Sequence, residues 1–236
     1  MHLSIVIPAY NEASRIPATL RRVDEYLSRQ TYDSEIVVVD DGSTDDTAAA
    51  VRDTLPGVHL VSYGRNYGKG HAVKTGMMVA VGAYRVFYDA DASTPIEELE
   101  RLLPCFYDGA DIVIGSRSLP ESDVQVRQTW YREQMGRMFN RLLRLLALTS
   151  FPDTQCGFKG FTAEACRIVF PRQTLDRFSF DAELLFIAEL HGLRIDQLPV
   201  RWINCPHTRV NALLDSLGMM RDIIRVRRNK ALGKYR

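Results

Sequence analysis

Apolar residues in the first half of the chain fall into short unbroken runs, and between those runs the spacing switches to a helical period. The runs at 3–8, 35–40, 58–63, 84–89 and 111–115 are rich in Val, Ile, Leu and Tyr and have strand length. Segments 14–29, 44–54, 70–81 and 96–107 repeat apolar positions every three or four residues, as helices buried on one face do. Repeated strand and helix in this order predict an α/β fold with a mainly parallel, doubly wound, Rossmann-like sheet covered on both faces. Ligands in such sheets bind beyond the carboxyl ends of the strands, so the residues just after each run carry the most information.

The second half has a different texture. A helix is predicted over 126–147, with Tyr131, Met135, Met138, Leu142 and Leu146 at helical spacing, a stripe that reads as core packing. Segment 153–161, rich in Gly and Phe, follows without a clear period; then come a helix around 182–191 and a strand over 193–202. The chain closes with an amphipathic helix from about residue 211 that places Leu213, Leu217, Met220 and Ile224 on one face. Neither an internal repeat nor a linker divides these parts, so a single domain spanning 1–236 is expected.

Composition changes this picture little. Of 236 residues 46% are hydrophobic and 25% charged, as in ordinary globular proteins. Cys105, Cys156, Cys166 and Cys205 are widely spaced and form no Cys-x-x-Cys pair, which argues against a zinc knuckle or redox motif and for thiols in a reducing compartment. No basic leader precedes the first strand, and no window approaches the roughly 20 apolar residues of a membrane span. A cytoplasmic protein is therefore expected. Charge is more informative: residues 221–236 carry seven Lys or Arg against Asp222 alone, a local net charge of +6 in a chain of total +1. Such asymmetry predicts an electrostatic contact by the C-terminal helix. The run lacks interleaved aromatics before Tyr235, which disfavours nucleic acid.

Four of the predicted strands end in polar residues that share one sheet edge: Pro8-Ala9-Tyr10-Asn11-Glu12, Asp40-Asp41-Gly42-Ser43, Asp89-Ala90-Asp91 and Gly115-Ser116-Arg117. Magnesium and manganese take oxygen ligands, keep several waters, and are held by one or two carboxylates plus phosphate oxygens. Asp89 and Asp91 suit that role, because aspartates two apart share a face of a continuing strand and the second swings toward a ligand where the strand turns. Asp-x-Asp also occurs on ordinary turns. Here it stands between an apolar strand and Ser93-Thr94-Pro95, a helix-start signal, which favours the metal reading. Asp40 and Asp41 stand where doubly wound folds place a nucleoside-binding acid, while Ser43 or Thr44 is expected to cap the next helix. A wall for a base, acceptors for its donors and a dication for a diphosphate together fit a nucleotide sugar. Two other nucleotide folds fail: no Gly-x-Gly-x-x-Gly follows the first strand, and the glycines at 64 and 68 enclose three residues where a P-loop needs four.

Taken together, these segments resemble the family 2 glycosyltransferases of GT-A fold, in particular the polyprenyl-phosphate (dolichyl-phosphate) glucosyltransferases and their mannosyltransferase relatives. The resemblance covers nearly the whole chain and includes Gly68-Lys69-Gly70, Asp153-Thr154-Gln155-Cys156-Gly157-Phe158-Lys159 and Phe180-Asp181-Ala182-Glu183-Leu184. The last two segments are similar to the glucosyl branch. It implies a nucleotide-sugar half over 1–118, an acceptor half over 119–210 and a basic helix over 211–236. It also implies an inverting transferase in which Pro8, Tyr10, Glu12, Asp40, Asp41, Lys69 and Asp89 surround the nucleotide, with Asp89 and Asp91 on the metal.

Glucose from UDP-glucose is the expected donor group. Ser93 replaces the glutamine of the mannosyl relatives, which argues against the alternative GDP-mannose donor. A lipid phosphate is already ionised near neutral pH, so the expected acceptor needs arginines, and Arg117, Arg132 and Arg137 are the candidates. Gly136 stands where those relatives carry a phosphate-binding serine. A sugar or alcohol acceptor would instead need a base, for which Asp153 and Asp181 are the candidates, the alternative for either being to pin a loop by accepting backbone N–H bonds. A non-enzymatic nucleotide-sugar-binding module is the remaining alternative. The basic helix suits peripheral contact with the cytoplasmic face of an anionic membrane.

Overall fold

The β-branched runs form strands that are largely buried on both faces, except the run at 58–63, which is half-buried at the sheet edge. A computed structural model describes residues 2–126, 149–203 and 212–236. In its first part β1 (His2–Ala9), β2 (Asp33–Asp40), β3 (His59–Ser62), β4 (Tyr84–Tyr88) and β5 (Ile112–Ser116) alternate with α1 (Ile16–Ser28), α2 (Thr47–Thr54), α3 (Lys69–Val79) and α4 (Leu99–Tyr107). Along β1 the side chains divide between two layers: Leu3, Ile5 and Ile7 pack with residues of α1 and α4, whereas Val6 packs with Ala72, Val73 and Met77 of α3. Continuous hydrophobic runs are the signature of such doubly covered parallel strands.

Beyond residue 118 come β6 (Asp123–Val126), β7 (Phe158–Thr162), α5 (Ala163–Val169), α6 (Phe180–Leu190), β8 (Ile195–Pro199), β9 (Arg201–Ile203) and α7 (Ala212–Ala231). Among the described residues the main sheet has seven strands in the order β3-β2-β1-β4-β7-β5-β8, and β6 pairs with β9 in a small second sheet. All pairings are parallel except those of β7, which runs antiparallel to both β4 and β5. The sheet thus takes strands from both sides of residue 118.

Three sequence expectations change. The Gly- and Phe-rich segment contains a central strand, β7. The strand expected over 193–202 breaks at Val200 into two strands of different sheets. In α7, Ile224 is 68% exposed, while Ile223 and Val226 are buried, so the predicted stripe fails at its last position; the side chains of Leu213, Leu217 and Met220 lie outside the described residues. The helix predicted over 126–147, with Arg132, Gly136 and Arg137, falls almost wholly outside the described residues, beginning in Val126 at the end of β6.

Helix α3 lies close on the sheet: a Cβ at Gly76 would stand 2.3 Å from Val6 Cγ1 and 2.9 Å from Val39 Cγ2. That close approach brings Lys69, the first residue of α3, to the carboxyl edge of β1 and β4.

Candidate active site

The loops after β1 and β2 are tied together by side chains. Asn11, in the left-handed region at φ 54°, accepts the Thr44 N–H at 2.7 Å through Oδ1, and its own N–H donates to Ser43 Oγ at 2.8 Å. The Glu12 N–H reaches Thr47 Oγ1 at 2.7 Å, and the Glu12 carboxylate takes two 2.6 Å bonds from Arg15. Ser43 and Thr44 therefore do not cap α2. Asp46 holds the N-cap position without a side-chain bond, and the two hydroxyls serve the loop of Asn11 instead. Pro8 is buried within β1, and Tyr10 just beyond it is 37% exposed.

Asp40 Oδ1 accepts the Ser43 N–H at 3.0 Å. Asp41 is 2% exposed and accepts the N–H groups of Tyr67 and Gly68 at 2.9 and 2.8 Å. Burial pushes its carboxyl above the ordinary range, and those two bonds pull against it. Asp41 thus anchors the loop that precedes Lys69. On that loop Tyr67 stacks on His71 at 4.7 Å, and the Arg65 guanidinium lies 4.5 Å from the Tyr67 ring.

After β4 the backbone turns sharply. Ala92 has φ 50°, its N–H returns to Asp89 O at 3.1 Å, and Asp91 Oδ1 accepts the Ser93 N–H at 3.0 Å. Lys69 Nζ lies 2.7 Å from Asp89 Oδ1 and 5.2 Å from the Phe87 ring. Strand β7 backs this turn: Gly157 O accepts the Asp89 N–H, and a Cβ on Gly157 would stand 1.8 Å from Asp89 Oδ2. Burial pushes the Asp89 carboxyl up by more than Lys69 draws it down. The Lys69 ammonium is held above its ordinary value: burial works against its charge, but Asp89, Asp181 and Asp91 outweigh it.

Arg117, following β5, is clamped by Asp153. Its Nε and Nη2 donate at 2.7 and 2.8 Å, its backbone N–H at 2.9 Å, and its guanidinium lies 5.4 Å from the Trp202 ring. Burial pushes the Asp153 carboxyl up, but the Arg117 charge and these bonds prevail and hold it at about 2. Asp181 is likewise paired: Lys159 Nζ, 1% exposed, donates to its Oδ1 at 2.6 Å and also to Cys156 O. The Cys156 thiol is buried and pushed up to about 11, which keeps it protonated and inert.

A family model for glycosyl transferase family 2 matches residues 4–170. The chain belongs to that family. Among the curated relatives of this family 2 glycosyltransferase is a dolichyl-phosphate beta-glucosyltransferase of Dictyostelium discoideum, 32% identical over 100% of this chain and 77% of that protein. Its counterpart from Drosophila melanogaster is also 32% identical, with the same coverage. The fold matches glucosyl-3-phosphoglycerate synthase from Mycobacterium tuberculosis, crystallised with Mn2+, UDP and glucosyl-3-phosphoglycerate, with a TM-score of 0.71 at 23% identity over 95% of this chain and 78% of that one. The fold is thus of GT-A type, and membership of glycosyl transferase family 2 makes the chain a transferase.

The donor set of the transferase suits a hard divalent ion that also binds a diphosphate. Asp89 and Asp91 offer carboxylate oxygens at the turn, and among the described residues no cluster of three or more His, Cys, Asp or Glu forms a self-sufficient cage. The remaining ligands would be phosphate oxygens and water, the usual pattern for magnesium. Structure brings Lys69, Asp89, Asp91, Asp181, Arg117 and Asp153 into one charged group, since the charges of Asp91 and Asp181 act on Lys69 and that of Asp89 acts on Arg117. Arg132 and Arg137 lie outside the described residues. Sequence reasoning gave no role to Lys159, Gly157 or Trp202. Lys159 and Gly157 stood inside a quoted motif, which was a usable signal; Trp202 carried none.

Proposed function

We propose that this glycosyltransferase moves glucose from UDP-glucose to a polyprenyl phosphate of dolichyl type, with inversion at the anomeric carbon. The names of the relatives support the substrates, and one structural observation favours a phosphate acceptor. Both acids considered as general bases are already bound to cations, Asp153 to Arg117 and Asp181 to Lys159. An alcohol would need a free base to take its proton. An ionised phosphate needs none.

In this reading Pro8, Tyr10, Glu12, Asp40 and Asp41 line the nucleoside end, and Lys69 with Asp89 faces the diphosphate. Asp89 and Asp91 would hold Mg2+ or Mn2+, which supplies Lewis-acid stabilisation of the departing nucleotide. Asp153 engages Arg117 through Nε and Nη2 and leaves Nη1 to meet the acceptor phosphate; Arg132 and Arg137 are further candidates for it. The acceptor oxygen forms the new bond to the anomeric carbon as the bond to the β-phosphate oxygen breaks.

Among the described residues no helix is long and apolar enough to cross a bilayer. We infer a peripheral contact on the cytoplasmic membrane face through α7. Arg221, Ile224, Arg225 and Arg228 are all exposed, and they lie on the side opposite the buried Ile223 and Val226. Incubation with labelled UDP-glucose, polyprenyl phosphate and Mg2+ or Mn2+ should yield a labelled product that extracts into chloroform. No such product with this donor or with GDP-mannose, alongside transfer to a soluble alcohol, would overturn the acceptor assignment.

A further inference from the structure

Lys69 sits where it affects two ligands at once. Its ammonium pairs with Asp89 Oδ1 at 2.7 Å, and Asp91 and Asp181 add to its negative surroundings. Of the two added carboxylates, Asp181 is already paired with Lys159. The other oxygen of Asp89, Oδ2, is hemmed in by the backbone at Gly157, where even a Cβ would come within 1.8 Å. The carboxylate therefore has little freedom to turn away from the ammonium and present both oxygens elsewhere. A divalent ion binding Asp89 meets like charge at short range, where Coulomb repulsion is strong.

The lysine itself is not locked. Its side chain is 28% exposed, in contrast to Lys159 at 1%, and its head group is carried on a flexible four-carbon stem from the first turn of α3. The loop just before it is anchored by Asp41, so the stem starts from a fixed point beside the sheet edge.

We propose that Lys69 makes metal binding and nucleotide binding interdependent: its ammonium opposes a free divalent ion at Asp89, and an incoming diphosphate draws the ammonium away and admits the ion. The proposal rests on the reading of Asp89 and Asp91 as metal ligands. Linkage makes the effect reciprocal, so the metal strengthens nucleotide binding by the factor by which the nucleotide strengthens metal binding. The functional consequence is a site that loads metal and nucleotide together and keeps Asp89 charge-paired otherwise.

The test is Mn2+ binding to the full chain, read from the electron paramagnetic resonance signal of the free ion, with and without saturating UDP. The native chain should bind Mn2+ weakly alone and much more tightly with UDP. Lys69→Met should bind Mn2+ alone on the order of tenfold more tightly than the native chain, and the further tightening by UDP, whose phosphate oxygens still act as ligands, should shrink by a similar factor. Lys69→Arg, which retains the charge, should keep the weak native binding of Mn2+ alone, and Lys69→Gln provides a second neutral variant should the Met variant fold poorly. Unchanged or weaker Mn2+ binding in the folded neutral variants overturns the proposal. Asp89→Asn separates the two levels: loss of Mn2+ binding there upholds the metal reading whatever Lys69 does, whereas native Mn2+ binding would defeat that reading and the Lys69 proposal with it.

Discussion

Replacing Asp153 by Asn tests whether this acid holds Arg117 or acts as a base. Four donors converge on its two oxygens: Arg117 Nε, Nη2 and N–H, and the Gln155 N–H. Asparagine keeps one oxygen and turns an amide NH2 toward donors. The charge-dependent part follows from the fall of the carboxyl from 3.8 to about 2, which corresponds to about 2 kcal/mol. A donor left facing a donor adds about 1 kcal/mol, so Asp153→Asn should lower stability by about 3 kcal/mol in urea unfolding at pH 7. The sign of the pH dependence follows from the same shift. The folded value lies below the ordinary one, so the contribution is complete above about pH 5, fades as pH falls through 4 toward 2, and is absent below. The charge-dependent part of the stability gap between the native and Asn chains should therefore disappear in acid. In kinetics the variant should raise KM for the acceptor phosphate about tenfold, the equivalent of about 1.4 kcal/mol, and leave UDP affinity unchanged. Native stability and native acceptor KM, combined with loss of turnover at every pH, would refute the clamp and favour a base.

Three further outcomes are expected. Gly157→Ala places a methyl 1.8 Å from Asp89 Oδ2 and 2.2 Å from its Cγ, so it should cost about 1–3 kcal/mol in overpacking and lower turnover on the order of 100-fold by displacing Asp89; unchanged kcat/KM would show that this carboxylate position is not needed. Tyr235→Phe removes a 2.6 Å bond to the buried Glu183 carboxylate and should cost about 1.5–3 kcal/mol, seen as a lower thermal midpoint. Arg225→Glu with Arg228→Glu should abolish co-sedimentation with anionic phospholipid vesicles while leaving the melting profile native, because both side chains are exposed; undiminished vesicle binding would remove α7 from the contact.

Much of this fold was legible because the strands of the first half obey local rules: continuous β-branched runs, then polar turns. Strand β7 broke those rules. Lys159 and Gly160 interrupt its apolar pattern, yet both are buried, the lysine because Asp181 reaches it from α6 and the glycine because Leu102 and Phe106 press on it from α4. Neither partner is near in sequence. The same holds for chemistry. Asp89 and Asp91 stand out by their place after a strand, but Asp153 and Asp181 could be read only as candidate bases or as acids pinning loops, since their cations stand 36 and 22 residues away. Ile224 of α7 was misplaced for a related reason. Apolar residues at 223, 224 and 226 leave the helix two possible inward faces, and the buried network of Asn229, Tyr235, Glu183 and Thr174 fixes which one turns in.

Exposure sorts the three ion pairs of the site into two kinds. Lys159 and Asp181 are 1% and 6% exposed, so no substrate can replace either partner, and their pairing fixes β7 against α6. Lys69 and Arg117 are 28% and 26% exposed. Neither meets an incoming anion as a bare charge, because Asp89 and Asp153 already hold them. They differ in what binding demands. Arg117 has five N–H donors on a rigid plane, so it can keep Asp153 and still bind a phosphate. Lys69 is a point charge on a flexible stem and must weaken its bond to Asp89 to serve a diphosphate. On the proposed reading, the acceptor side is therefore preorganised and the donor side rearranges. Lys69→Met should accordingly disturb UDP affinity more than Arg117→Lys does, while Arg117→Lys should fall mainly on acceptor KM. Isothermal titration with UDP and steady-state rates across acceptor concentrations would measure both. A larger loss of UDP affinity in Arg117→Lys would reverse the assignment of the two sides.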